Sequence, residues 1–225
     1  MRLFSCFSFV MSALAPISWK LERGRKRKSG KKKVIGVLAL QGDFLEHRQV
    51  LRALGTDAKE VRTAEELNAV DALIMPGGES TTVARLMDAY RLRAPLKKRI
   101  QAGMPVWGTC AGMILLAKRL KEDRPDPLQV MDIEVSRNAF GRQVDSFEAD
   151  LAIKTLGKKL FHAVFIRAPV ILKIGKGVEV LARLPDGAPV AARQRHMLAT
   201  AFHPELSGDH WMHEYFLNMA DRYGQ

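Results

Sequence analysis

The sequence predicts a three-layer α/β protein: a mostly parallel central sheet, helices on both faces, and an antiparallel β segment added to it. Three observations predict this. Short apolar runs recur from Val34 onward, each followed by a turn and then by helical spacing. Glycine-bearing turns directly follow these runs at Gln41-Gly42, Gly77-Gly78 and Gly108 to Gly112. Past Lys121 the texture changes to short β-like runs with no helical spacing between them.

The elements follow in order. Val34 to Leu40 is an apolar run bounded by Lys33 and Gln41-Gly42, and reads as a buried strand. Phe44 to Leu54 places Phe44, Leu45, Val50, Leu51 and Leu54 at helical intervals, and Gly55 stops the helix. Ala58 to Val61 is a second strand, and Thr63 with Glu66 forms a capping box for a short helix. Val70 to Met75 is the third strand, Ser80 is placed to cap a helix running to about Tyr90, and Pro95 to Ala102 supplies another. Met104 to Trp107 is the fourth strand, with Ala111 to Leu120 as the helix after it. Beyond the polar KEDRPDP segment, β-like runs fall at Gln129 to Val135, Phe147 to Ile153, Ala163 to Ile166, Val178 to Ala182, Pro189 to Arg193 and Leu198 to Phe202. Gly208 to Tyr223 closes the chain as a helix.

Length and charge bound the function. A chain of 225 residues accommodates one domain with a sizeable core. Its net charge of +12 suggests a nucleic-acid partner until it is located: residues 1–33 carry +9 of it, and the remainder only +3. The body is therefore balanced, and the basic charge says nothing about its partners. Residues 1–33 read as a basic, disordered extension or a misplaced translation start, and residues 34–225 as the domain. The apolar part of the extension, Leu3 to Trp19, falls short of the ~20 residues of a spanning helix, contains Pro16 and has its basic cluster on the wrong side for a secretory signal. The only cysteines, Cys6 and Cys110, lie in unlike contexts and suggest no disulfide framework, which fits a reducing cytoplasm.

The sharpest chemical signal is Gly108-Thr109-Cys110-Ala111-Gly112 between an apolar strand and an apolar helix. It has the form of a nucleophile elbow with Cys in place of Ser. A sharp strand-to-helix turn strains the central residue, and side chains at the flanking positions would clash. A helix beginning at Ala111 aims free N–H groups at the sulfur, which favours the thiolate and leaves the Ala111 N–H placed for an oxyanion. Taken alone, the pattern fits a buried inert cysteine equally well. His203-Pro204-Glu205 shifts the balance, because residues two apart at a strand end point the same way. His203 then takes the thiol proton and Glu205 holds its other nitrogen, as in a catalytic triad. Pro76-Gly77-Gly78-Glu79-Ser80 offers a second oxyanion donor in the Gly78 N–H, although a plain strand-to-helix turn has the same form. His203, His210 and His213 match no metal template, and His210 and His213 fall on the final helix, where exposure is expected. His47 beside Glu46 reads as a surface pair, and Trp107 and the nearby Met residues as core. No metal and no cofactor are expected.

Together these residues resemble the class I, triad-type glutamine amidotransferases, and more narrowly the glutaminase subunits of pyridoxal 5′-phosphate synthase. The likeness is carried by GVLALQGD at Gly36 to Asp43, MPGGEST at Met75 to Thr81, GTCAGMILLAK at Gly108 to Lys118, RNAFGRQVDSFEADL at Arg137 to Leu151, and FIRAP with AFHPEL near the end. GTC and HPE are general to the class; the other motifs together are specific to the subfamily. The resemblance implies hydrolysis of glutamine to glutamate and ammonia by Cys110, His203 and Glu205, with Gly78 and Ala111 as the oxyanion hole. It implies that Gly78, Glu79, Ser80, Arg137, Ile166 and Arg167 contact glutamine, with Arg137 or Arg167 matched to its carboxylate. It further implies a synthase subunit as partner in a large hetero-oligomer, an interface near Gln41, Gly42 and Asp43, and a glutaminase that is weak until that subunit binds. No membrane or nucleic-acid partner is implied. The family begins at about Val34, so the extension departs from it. Two rival readings are a subunit serving another class I synthase and a catalytically silent scaffold. Candidate partners separate the first, and glutamate release with the cognate synthase separates the second.

Overall fold

A computed structural model of the chain describes residues 33–137 and 146–223. The expectations for residues 1–32, and for the middle of the RNAFGRQVDSFEADL stretch, lie outside the described residues.

Strands β1 (Ile35–Leu38), β3 (Ala72–Met75), β4 (Val106–Thr109) and β12 (Met197–Thr200) are buried at every position. Unbroken apolar runs form such strands because both of their faces are covered. With β2 (Ala58–Val61), β10 (Glu179–Arg183) and β11 (Pro189–Gln194) they make a seven-stranded sheet of order β10-β11-β12-β4-β3-β1-β2. The pairs β1/β2, β1/β3, β3/β4 and β4/β12 are parallel, while β10/β11 and β11/β12 are antiparallel. The parallel core and its antiparallel edge are those the sequence predicts.

Helices α1 (Phe44–Ala53), α2 (Ala64–Asn68), α3 (Ser80–Ala89), α4 (Arg93–Gln101), α5 (Ala111–Leu116) and α6 (Trp211–Tyr223) complete the layers. Two adjacent residues of β4 show that both faces are covered. A Cβ on Gly108 would lie 2.4 Å from the Gly112 carbonyl carbon, so that position faces α5. The side chain of Trp107 points the other way, packing on His47 of α1 and on His213 and Phe216 of α6. Thr63 and Glu66 form the predicted capping box on α2.

The structure departs from the sequence reading after α5. The helix ends at Leu116, and β5 (Ala117–Leu120) pairs in parallel with β6 (Met131–Ser136). The cause is competition for carbonyl groups. Leu115, Leu116 and Ala117 accept from the N–H groups of Leu128, Val130 and Gln129, so the next turn of helix has no acceptors to use. The unpredicted β9 (Val170–Ile174) completes this three-stranded sheet by pairing antiparallel with β6. The hairpin of β7 (Ser146–Ala152) and β8 (Leu160–Ile166) stands as a separate two-stranded sheet. Among the described residues, no helix is long and apolar enough to cross a membrane.

Candidate active site

The loops after β1, β3, β4 and β12 converge at the carboxyl ends of the parallel strands, where the strand order changes direction around β1. Cys110 stands between β4 and α5 with φ 46° and ψ −102°, a conformation that an L-residue adopts only when its surroundings impose it. Its N–H donates to the Thr200 carbonyl at 2.8 Å, which ties the turn to β12. A Cβ on Gly112 would lie 2.0 Å from the Met75 carbonyl oxygen, and a Cβ on Gly108 would meet Gly112 itself. The strain and the two glycines therefore have one origin: three backbones meet around the sulfur. Cys110 is 6 % exposed, and its thiol sits 3.9 Å from the Ile166 carbonyl oxygen.

His203 follows β12, and its backbone N–H donates to the Val164 carbonyl of β8 at 2.8 Å. Its ring joins two partners. Nδ1 lies 2.7 Å from Glu205 Oε1 and 3.3 Å from Asp43 Oδ2, and the Cys110 thiol is near enough to help raise the ring's pKa. With Nδ1 shared by the two carboxylates, Nε2 is the nitrogen left for the sulfur. Burial alone would lower the His203 imidazole, but the hydrogen bonds with Asp43, Cys110 and Glu205 outweigh it and hold the ring well above its ordinary value. Burial pushes the Glu205 carboxyl upward, opposed by its bond to His203. The structure brings His203 and Glu205 together through the 3-10 turn Pro204–Leu206 rather than along a strand end, and adds Asp43, which the sequence does not place there, as a further neighbour of the ring.

The Gly77-Gly78 turn lies against the same ring: a Cβ on Gly77 would sit 2.4 Å from His203 Cε1. Gly78 has φ +147°, and a Cβ there would lie 2.7 Å from Gln41 Oε1. The Glu79 N–H donates to that same Gln41 oxygen at 2.8 Å, locking the loops after β1 and β3 to each other. The cap of α3 differs from the expectation. Glu79, not Ser80, is the N-cap, accepting from the N–H groups of Thr81 at 3.1 Å and Thr82 at 2.6 Å. Ser80 is the first helical residue and is buried, so its hydroxyl is in no position to cap. Burial would raise the Glu79 carboxyl, but the hydrogen bonds from Thr82 and Thr81 draw it down to about 2. Arg137 reaches the same carboxylate, Nη2 to Oε1 at 3.2 Å. Ile166 ends β8, and Arg167 just past it has φ 43°, a second strained residue beside Cys110.

Two histidines read as surface residues are core residues. His47 and His213 are both 0 % exposed. Helical spacing carried the signal: His47 stands three and four residues before Val50 and Leu51, and His213 stands in the same relation to Phe216 and Leu217. The metal reading of His203, His210 and His213 finds no support, because His213 lies behind the site rather than in it. Among the described residues, Asp43, His203 and Glu205 bring possible ligand atoms within 4.8 Å of one another. His203 Nδ1, however, is already engaged by Glu205, and the cluster is explained by hydrogen bonding alone.

Fold and site together define an open α/β protein with a strained cysteine elbow after β4, a His–Glu pair in the turn just past the neighbouring β12, and a double-glycine loop opposite. Residues 37–222 match the model of the SNO glutamine amidotransferase family. The chain is 58 % identical over 191 residues to the pyridoxal 5′-phosphate synthase subunit PdxT of Dehalococcoides mccartyi, covering 84 % of this chain and 98 % of that one. It is 56 % identical over 188 residues to the protein of the same name from Herpetosiphon aurantiacus, covering 82 % and 99 %. A crystal structure of a glutamine amidotransferase superposes with a TM-score of 0.78 at 52 % identity, covering 84 % and 99 %. A glutamine amidotransferase from Thermotoga maritima, at 12 % identity and TM-score 0.55, shares the fold. The chain belongs to the SNO glutamine amidotransferase family.

Proposed function

We propose that this chain is the glutaminase subunit of a pyridoxal 5′-phosphate synthase, with residues 34–225 as its catalytic unit. It hydrolyses glutamine to glutamate and ammonia and delivers the ammonia to a synthase subunit in a hetero-oligomer. The observation that carries this reading is the single imidazole that bridges a strained cysteine and a buried carboxylate, in a chain of this family. The names of the PdxT relatives supply the synthase.

Cys110 gives its proton to His203 and attacks the side-chain amide carbon of glutamine. The N–H groups of Ala111 and Gly78 stabilise the oxyanion, each contributing about 3 kcal/mol in such sites. The His203 imidazolium protonates the departing nitrogen, and ammonia leaves a glutamyl thioester on Cys110. Water, its proton taken by His203, hydrolyses the thioester to glutamate and returns the thiol. Glu205 fixes the tautomer of His203 throughout. Glu79 and Arg137 already form an ion pair at the pocket edge, a ready-made complement to the ammonium and carboxylate of an amino-acid substrate. Ser80, Ile166 and Arg167 complete that pocket. Gln41, Gly42 and Asp43 are the proposed edge of the interface with that subunit, and Leu45 of α1 is half exposed beside them. The setting is the cytoplasm.

The test uses glutamine labelled with nitrogen-15 at its amide. With the synthase subunit and its sugar phosphates present, the label is expected in pyridoxal 5′-phosphate, and glutamate release is expected to rise above that of the chain alone. Glutamate release without label in that product, under conditions where the synthase accepts free ammonia, points to a different synthase. No glutamate release under any partner leaves the scaffold reading.

A further inference from the structure

Behind Glu205 lies a second tier of polar side chains that the reaction as described does not use. Glu205 gives Oε1 to His203, while Oε2 faces inward and makes no hydrogen bond of good angle among the described residues. His47 Nε2 stands 3.2 Å from that oxygen and 3.3 Å from Thr109 Oγ1. His47 Nδ1 lies 2.9 Å from His213 Nε2, and His213 Nδ1 has no hydrogen-bond partner among the described residues.

Donor and acceptor bookkeeping fixes the protons. If His213 carried its proton on Nδ1, a buried donor would have no acceptor, and His47 would turn a lone pair toward a carboxylate. With the proton on Nε2 of both rings, His213 donates to His47, and His47 donates to Thr109 Oγ1 with Glu205 Oε2 lying 3.2 Å from the same nitrogen. Only a bare lone pair on His213 then goes unused, the cheaper of the two omissions. Trp107 holds the arrangement by packing edge-on to both rings, 5.7 Å from His47 and 5.0 Å from His213 between centroids. Its indole N–H is itself anchored to Thr200 Oγ1 at 3.1 Å, at the end of the strand that leads to His203.

We propose that His47, seated on His213, is a positioning residue that holds the Glu205 carboxylate against His203 and so extends the catalytic relay inward from α1 and α6. The proposal rests on the reading of Cys110, His203 and Glu205 as the working triad. Burial lowers both inner imidazoles, His213 to about 3, so each donates as a neutral ring. A neutral donor can hold a carboxylate in place without competing with His203 for its charge.

The test compares His47→Leu with His47→Gln in the full chain, assayed for glutamate release with its synthase subunit present. Loss of the donor lets Glu205 swing, and His47→Leu is expected to lower kcat by roughly 10- to 100-fold with KM for glutamine within about 2-fold of normal. The amide N–H of His47→Gln is expected to restore kcat to within about 5-fold of normal. A folded His47→Leu with normal kcat, or a His47→Gln as impaired as His47→Leu, overturns the proposal. Should His47→Leu not fold, long-range proton–nitrogen NMR on the unaltered protein decides. A neutral His47 protonated on Nε2 supports the relay, and one protonated on Nδ1 overturns it. Cys110→Ala, run in parallel, separates the two levels: if it remains active, the triad reading fails; if it is dead while His47→Leu is normal, only the positioning role fails.

Discussion

The two glycines that flank Cys110 are governed by distance. Gly112 passes so close to the Met75 carbonyl that Gly112→Ala must push α5 off β3. The expected cost is about 3 kcal/mol or more, read as a lowered urea midpoint, with Cys110 displaced as well. This requirement was legible in the sequence, since glycines two before and two after a cysteine at a strand-to-helix turn have few other causes. The cap of α3 was less legible. Ser is the commoner N-cap, and only the structure shows that Glu79 reaches both first-turn N–H groups. Glu79→Ala is expected to cost about 1 kcal/mol. The carboxyl sits near 2 when folded, below its ordinary value of 4.5. Its contribution is therefore complete above pH 4.5 and disappears as pH falls from there toward 2, modestly because the side chain is half exposed. A pH series of melting temperatures for Glu79→Gln and the unaltered chain checks the sign. Hidden burial was the other residue-scale surprise. A histidine beside a glutamate invites a surface reading, yet the apolar positions three and four residues on placed His47 inside.

At the scale of elements, the β7–β8 hairpin clamps the site from outside the main sheet. Val164 of β8 accepts from the His203 backbone, and Ile166 at its end touches the Cys110 thiol. Phe165 anchors the hairpin, fully buried, stacked on Phe147 at 4.4 Å and edge-on to Phe202. Phe165→Ala is expected to cost about 3–5 kcal/mol and to lower kcat beyond what global instability explains. Denaturant midpoints and kinetics measured well below the melting temperature separate the two effects. Sequence patterning found β6, β7 and β8, but read β5 as helix, missed β9 and gave no partners. Which edge a short strand joins depends on distant hydrogen bonds, such as those from Leu128, Gln129 and Val130 that end α5. The parallel core was legible because burial on both faces leaves its mark in every residue of β1, β3 and β4.

For the whole molecule, the buried histidines set the acid limb of stability. His47 and His213 lie well below 6.5 when folded, and unfolding returns them to that value. Between pH 6.5 and 4.5 the unfolded chain therefore binds protons at these two rings that the folded chain refuses, so their contribution is full above pH 6.5 and falls as the solution is acidified. Glu205, raised by burial, acts in the opposite sense, one group against two. A net uptake of one proton on unfolding corresponds to about 1.4 kcal/mol per pH unit. Urea midpoints are expected to drop from pH 6 to 5, and a flat profile there would mean that the two rings are charged or exposed. His203, held above its ordinary value, acts in the opposite sense: its contribution is full well below pH 6.5 and is lost as pH rises past 6.5, so the acid limb shows cleanly only below pH 6.

The function assigned to the molecule depends on the reactivity of one thiol. The most direct measurement is glutamate release by Cys110→Ala, with the synthase subunit and saturating glutamine, against the unaltered chain. A fall of at least about 1,000-fold in kcat, with the melting temperature preserved, is the predicted result. Glutamate release at an undiminished rate by a folded Cys110→Ala would contradict it.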